Sequence, residues 1–318
     1  MDEQAKGGVS RREFLKGLGA AGLGALCSGA LLGCAGLASA VLSTRIGLPP
    51  PDSPHAREAM FYTSFGDGGM DCSSCHQPQP SRVLYCHTTH GSNYVKCQLC
   101  PKGCIISEGK RGDCGVRENR GGKLYTLVYG NPCAVHNVPI EIKPFYHFLP
   151  GSFALSIATA GCNLHCLYCQ NWSISQRRPE ETENADLPPG AVVGAALWAG
   201  SQSLSYTYSE PVIFYEYMLT TARLGRAKGL RNTVVSNGYI NPEPLRELCR
   251  TVDAIKVDLK SFREEFYREV CTGTLEPVLR AMRIIREEGV HLEIVNLVVP
   301  TLNDDPEELR EMARWVVR

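Results

Sequence analysis

The second half of the chain alternates between two hydrophobic periods. Short apolar runs at 154–159, 203–208, 232–236, 254–259 and 291–298 read as strands. Between them, 191–199, 212–228, 242–252, 264–270 and 276–288 repeat apolar side chains every three or four positions, which predicts helices. A last helix is expected over 306–317, opened by Asn303-Asp304-Asp305. Five strands alternating with helices predict an α/β fold of parallel β/α units. Such units build an open sheet or a closed barrel, and both place their chemistry at the carboxyl ends of the strands. Polar residues gather there: Cys162, Glu210, Asn237, Asp258 and Asn296 each fall at or just past a strand end. That register is expected of an enzyme.

Upstream the pattern is different. Ser10-Arg11-Arg12-Glu13-Phe14-Leu15-Lys16 is a twin-arginine signature, and an uncharged Gly/Ala/Leu-rich stretch follows over 17–40. Residues 1–40 therefore read as a signal segment for the twin-arginine route, which exports proteins already folded around their cofactors. The expected destination is periplasmic or membrane-anchored; the alternatives are an uncleaved anchor, since 24 residues would span a bilayer, and a cytoplasmic protein. Ala38-Ser39-Ala40 has the pattern of a signal-peptidase site, while Leu31-Leu32-Gly33-Cys34 resembles a lipoprotein box that would acylate Cys34. Residues 41–71, with Pro49-Pro50-Pro51 and Gly66-Asp67-Gly68-Gly69, read as a linker. A cysteine-rich module is expected over 72–149 and the β/α domain over 150–318.

Composition narrows the function. With 318 residues, 43% hydrophobic and 21% charged, the chain can bury a sizeable core, which excludes wholesale disorder. Thirty-three basic and 33 acidic side chains give a formal charge of zero, so no nucleic-acid partner bound by a general positive field is expected.

The 15 cysteines change the picture, because seven of them fall within 72–114. Cys97-Gln98-Leu99-Cys100-Pro101-Lys102-Gly103-Cys104 and then Cys114 give C-x2-C-x3-C-x9-C, with Gly103, Gly109, Gly112 and Gly115 supplying tight turns. Four thiolates on such loops suit a tetrahedral zinc or a second iron–sulfur cluster equally well. A pair of disulfides is the third reading, although a bridge across two intervening residues is usually strained. Just upstream, Cys72-Ser73-Ser74-Cys75-His76 has the C-x-x-C-H form of a c-type haem attachment site, with Met70, His87 or His90 as candidate second axial ligand. The alternative joins Cys72, Cys75, Cys86 and His76 or His87 in a zinc site. Cys249 and Cys271 are expected to be buried in or beside helices. Cys133 fits no pattern.

Gly161-Cys162-Asn163-Leu164-His165-Cys166-Leu167-Tyr168-Cys169 places C-x3-C-x2-C directly after the first strand of the β/α series. Three thiolates on one loop can hold three irons of a [4Fe–4S] cubane and leave the fourth open, which a catalytic cluster needs and an electron carrier does not. On this motif the sequence resembles the radical S-adenosylmethionine (SAM) superfamily, in which the open iron binds the amino and carboxylate groups of that cofactor. From Cys97 onward it resembles the radical enzyme of the AmmeMemoRadiSam group, kin of pyruvate formate-lyase activating enzymes. The supporting stretches include Gly115-Val116-Arg117-Glu118-Asn119, Cys169-Gln170-Asn171-Trp172, Tyr206-Thr207-Tyr208-Ser209-Glu210-Pro211 and Ser236-Asn237-Gly238-Tyr239-Ile240.

The resemblance implies a partial (β/α)6-type barrel, a cluster on Cys162, Cys166 and Cys169, and S-adenosylmethionine beside it. By it, Tyr168 packs on the cofactor and Glu210 accepts from its amino group, while Asn237, Asp258 and Lys260 line its ribose and carboxylate. The charges agree, since an ammonium favours a carboxylate and a carboxylate a lysine. Two departures stand out. Tyr208-Ser209-Glu210 occupies the place where many members carry Gly-Gly-Glu, and about five of six β/α units are counted, which predicts a truncated chain or an edge closed by a partner.

The implied activity is reductive cleavage of S-adenosylmethionine to a 5′-deoxyadenosyl radical that abstracts hydrogen from a substrate, a protein glycine being one candidate. An electron donor such as a ferredoxin or flavodoxin is then expected as a partner. The rivals are an exported electron-transfer protein with iron–sulfur and c-type haem centres, and a degenerate barrel that only binds.

Overall fold

In the computed structural model, residues 53–65 and 93–317 are described. The twin-arginine segment, both processing sites, and the haem-or-zinc candidates Cys72, Cys75 and His76 lie outside the described residues. All the described residues fall in one unit, Gly47–Arg318. Part of the stretch read as a linker carries structure: β1 (Arg57–Glu58) and β2 (Tyr62–Phe65) are short strands, the second rich in aromatic and β-branched side chains. β2 pairs with β3 (Tyr94–Cys97), which pairs with β4 (Ile105–Ile106), giving an antiparallel sheet that presents the first cysteine loops. β5 (Arg117–Arg120) and β6 (Lys123–Thr126) form a hairpin to which β1 adds. Their two-residue connection needs positive φ at both positions to match strand twist, and Gly121 and Gly122 supply it at 61° and 75°.

The main sheet runs β12-β11-β10-β9-β8-β7, with β7 at Ala134–Pro139, β8 at Phe153–Ala158, β9 at Ser203–Tyr206, β10 at Arg231–Ser236, β11 at Ala254–Asp258 and β12 at His291–Val295. β8 to β12 are mutually parallel and lie in chain order, so each crossover steps the same way. β8 and β9 are buried on both faces apart from Phe153, which explains their continuous apolar and small-polar runs. β7 is antiparallel to β8 and was not foreseen in the sequence. His136 and Asn137 interrupt its apolar run, and its terminal Pro139 suits a sheet edge. The sheet stays open, with β7 and β12 as its two edges, where a closed barrel would pair them.

Helices fill the crossovers: α1 (Trp172–Ser175), α2 (Pro189–Trp198), α3 (Tyr215–Ala227), α4 (Pro242–Cys249), α5 (Glu264–Glu269), α6 (Leu275–Glu287) and α7 (Pro306–Val316). Proline stands in the first turn of α2, α4 and α7, where a missing N–H removes no helical bond. Asp305 caps α7 by accepting from the Glu307 and Glu308 N–H groups, both at 2.9 Å. α6 shows the expected amphipathic face, with Val278, Ala281, Met282 and Ile285 buried. The helix expected over 212–228 opens instead as a 3-10 turn, Pro211–Phe214, before α3 begins. Among the described residues no helix is long and apolar enough to cross a membrane.

Candidate active site

β8 delivers the chain to Gly161, whose φ of +95° is disfavoured for any residue with a Cβ. A Cβ there would stand 2.6 Å from the Cys114 carbonyl oxygen and 2.8 Å from Val116 Cγ1. Glycine therefore lets the loop turn beneath the 114–116 backbone. Beyond it, backbone bonds tie the loop to the segment after α5: His165 N donates to the Cys271 carbonyl (3.1 Å) and Leu167 N to that of Val270 (3.0 Å). Asn171 Nδ2 donates to the Tyr208 carbonyl at 2.8 Å, and Gln176 Nε2 to that of Leu164 at 3.1 Å. With main-chain and amide groups holding the loop, the three sulfurs are left for chemistry.

Those sulfurs face a cavity of about 450 Å³, a size suited to a small-molecule site. Cys162, Cys166 and Cys169 line it, and so do all five residues expected to contact a cofactor: Tyr168, Glu210, Asn237, Asp258 and Lys260. Asn296, grouped with them by its place after β12, instead donates Nδ2 to the Leu259 carbonyl at 2.7 Å and is not in the lining.

Glu210 is 1% exposed, and its carboxylate accepts from Ser236 Oγ (2.7 Å), Asn237 N (2.8 Å) and Val212 N (3.1 Å). Burial outweighs these donors and pushes its carboxyl up to about 7. Asp258 bonds Lys256 and lies 3.8 Å from Lys260. Burial disfavours the Lys260 charge, yet Asp258 and Cys166 more than offset it and raise the ammonium above its ordinary value. Tyr168 packs on Phe266 with centroids 5.8 Å apart, and its ring lies 5.9 Å from Lys260 Nζ. Asn237 Nδ2 donates to Asn163 Oδ1 at 2.8 Å and points at Cys162 Sγ from 3.9 Å.

Three contributions escaped the sequence reading. Cys271 is fully buried, as expected, but it donates a hydrogen bond to Cys166, which pulls that thiol down to about 7. Lys256 pairs with Asp258 from within β11. Lys143 lines the cavity with its ammonium nitrogen buried and unbonded, 3.8 Å over the Tyr208 ring. A lone cation following Ile140 and Ile142 was the only signal, and only the turn into β8 brings it to the site. Burial alone pulls Lys143 down to about 8 from 10.5. The unfolded chain therefore binds this proton more tightly between those two values, so the burial penalty is full below pH 8 and fades towards pH 10.5. Lys143→Met is expected to stabilise the protein at pH 7 by on the order of 1–3 kcal/mol. Urea denaturation should show that gain disappearing above pH 10.5.

The cysteines expected in a second site, Cys97, Cys100, Cys104 and Cys114, are all free, as is every other described cysteine, so the disulfide reading is not realised. They line a second, smaller cavity. Among the described residues no group of three or more His, Cys, Asp or Glu side chains stands in metal-holding geometry. Cys249 is buried as expected, and Cys133 is a half-buried thiol pushed up to about 11 by burial.

Comparison with known proteins sharpens this picture. A family model described as the Radical SAM superfamily matches residues 156–316. An uncharacterized protein of Methanocaldococcus jannaschii is 43% identical over 260 residues, covering 82% of this chain and 70% of that one. The pyruvate formate-lyase-activating enzyme of Listeria monocytogenes is 24% identical over 166 residues, or 49% of this chain and 66% of the enzyme, just under two thirds of its length. Among solved structures, a radical SAM methyltransferase from Sphaerobacter thermophilus overlaps 53% of this chain and 54% of its own, at 18% identity and a TM-score of 0.40. QueE from Escherichia coli overlaps 58% of this chain and 77% of its own, at 15% identity and a TM-score of 0.36.

Proposed function

The chain belongs to the radical SAM superfamily, and from that premise we propose that it generates a radical by reductive cleavage of S-adenosylmethionine, in the manner of an activating enzyme. The family implies a [4Fe–4S] cluster and that cofactor. One observation carries the reading: three loop thiols, a buried carboxylate and a half-buried lysine, drawn from separate strand ends, line a single cavity.

The residues fit the group. Cys162, Cys166 and Cys169 would hold three irons, Glu210 the cofactor's amino group and Lys260 its carboxylate, with Asn237 and Asp258 near the ribose and Tyr168 alongside. When bound, cluster and cofactor supply a one-electron cleavage that gives methionine and a 5′-deoxyadenosyl radical able to abstract hydrogen. The protein's own part is positional. Three donors fix both oxygens of Glu210, and Asp258, held by Lys256, keeps Lys260 charged within the site.

The similarity to activating enzymes favours a protein backbone glycine as the hydrogen source and a ferredoxin- or flavodoxin-type electron donor. Kinship with the AmmeMemoRadiSam group rests on the stretches from Cys97 onward, and export rests on the twin-arginine signature alone. The test is anaerobic reconstitution with iron and sulfide, reduction, and assay for 5′-deoxyadenosine. Cofactor-dependent product supports the proposal; an intact cluster that cleaves no cofactor overturns it.

Glu210 adds a prediction with a sign. Only its ionised form attracts an ammonium, and it titrates near 7, so the KM for S-adenosylmethionine should rise as pH falls below 7. Glu210→Gln should raise KM by about 10- to 100-fold at pH 8 and flatten that pH dependence, as loss of one charge-assisted hydrogen bond implies.

A further inference from the structure

Four cysteines outside the triad line one cavity, though they do not stand in metal-holding geometry. Cys97 ends β3, Cys100 and Cys104 lie on the turn before β4, Cys114 precedes β5, and all four line one cavity of about 20 Å³. Leu99, Ile106, Val212 and Ile213 supply apolar wall, and Lys102, Asp113, Arg117 and Asn163 the polar part. Backbone N–H groups point at the sulfurs: Asp113 N reaches Cys104 Sγ at 3.4 Å, and the N–H groups of Lys102 and Val116 bond Cys100 and Cys114. Such bonds suit thiolate acceptors better than neutral thiols.

A second observation is independent of the cysteines. Arg117 lines the same cavity and is 2% exposed. Its Nη2 donates to Glu216 at 2.5 Å and to the Met60 carbonyl at 3.1 Å, whereas Nε and Nη1 are buried with no acceptor. A buried guanidinium with two orphaned donors calls for acceptors beside it, which the unbonded Glu216 Oε2 and the cysteine sulfurs could both supply. Four thiolates around a divalent ion would carry a net charge of −2 and present sulfur acceptors to those donors.

We propose that Cys97, Cys100, Cys104 and Cys114 bind one zinc ion as a closed tetrathiolate site, with Arg117 donating to its sulfurs. The cavity has room for about one water-sized sphere, enough for a single ion. Binding exchanges the four thiol protons for the ion and needs no oxidant or reductant. Its consequence is mechanical. The Cys114 carbonyl packs on Gly161, Asp113 bridges Lys102 at 3.0 Å and His165 at 3.2 Å, and Asn163 shares the cavity wall. The ion thus braces the loop that carries Cys162, Cys166 and Cys169 without touching the reaction.

The test uses the full chain with zinc alone, without iron or S-adenosylmethionine, so its outcome is independent of the radical chemistry. Zinc should bind at about one ion per chain and protect Cys97, Cys100, Cys104 and Cys114 from alkylation, read by peptide mass spectrometry and reversed by a chelator. Cobalt(II) in its place should give the strong visible absorption of a tetrahedral thiolate site. Arg117→Met should weaken zinc binding by about 10- to 100-fold, and Cys97→Ser with Cys104→Ser should abolish it, while Cys162→Ser with Cys166→Ser and Cys169→Ser retains it. Unprotected thiols in the wild-type chain would overturn the proposal even if the double variant fails to fold. So would iron reconstitution reaching about eight irons per chain, with four lost in the double variant, which is the signature of a second cluster.

Discussion

Replacing any one of Cys162, Cys166 and Cys169 with serine is expected to reduce 5′-deoxyadenosine formation by at least ~10³-fold, the loss of a whole chemical step and not of one contact. A serine hydroxyl does not ionise at neutral pH as a thiol does and is a poor ligand for soft iron. The loop offers no spare: Asn163 is committed to Asn237 and the Tyr239 carbonyl, and His165 to Gln176 and Asp113. Cys271 makes the informative control. It sits against Cys166 but outside the loop, so Cys271→Ala should keep about four irons per chain while raising the Cys166 pKa through loss of its donor. Iron analysis with electron paramagnetic resonance of the reduced protein reads the first, and the pH dependence of Cys166 alkylation in the iron-free protein reads the second. A serine variant that cleaves cofactor at the wild-type rate would remove that cysteine from the ligand set.

The second large effect is expected at Gly161. Gly161→Val places a branched side chain at a φ of +95° and drives its Cβ to 2.6 Å from the Cys114 carbonyl oxygen. The obstacle is backbone, so relief requires moving the 114–116 strand entry together with the cysteine loop. A destabilisation of about 3 kcal/mol or more is expected, combining left-handed strain with overpacking, together with loss of bound iron. Gly151→Ala separates the two causes. Its φ is +77°, but nothing lies within 4 Å of the added Cβ, so strain alone should cost about 1 kcal/mol. Equal urea midpoints for the two variants would refute the clash.

The Cys162–Cys169 spacing, the strand-end positions of Glu210, Asn237 and Asp258, and the β/α alternation are local properties. Side chains two or three to four apart along the chain share a face whatever surrounds them, so β8 to β12 and their helices could be located within a few residues. Ligand spacing on one loop is likewise written in consecutive residues. β7 escaped because His136 and Asn137 break its apolar run, and an edge strand is only partly buried along its length.

Other features join residues far apart, and no period encodes those pairings. Arg117 meets Glu216 across 99 positions, and Asn237 meets Cys162 across 75. Lys143 rests on Tyr208, Cys271 donates to Cys166, and the Cys114 carbonyl lies under Gly161. Asn296 shows the converse, since its position suggested the cavity but packing turned it to the Leu259 carbonyl. Which elements form, which loop carries the triad and which strand ends are polar were all legible from consecutive residues. Which of those side chains share a cavity emerges on folding, because burial, and with it the charge each group holds, depends on what other segments pack around it.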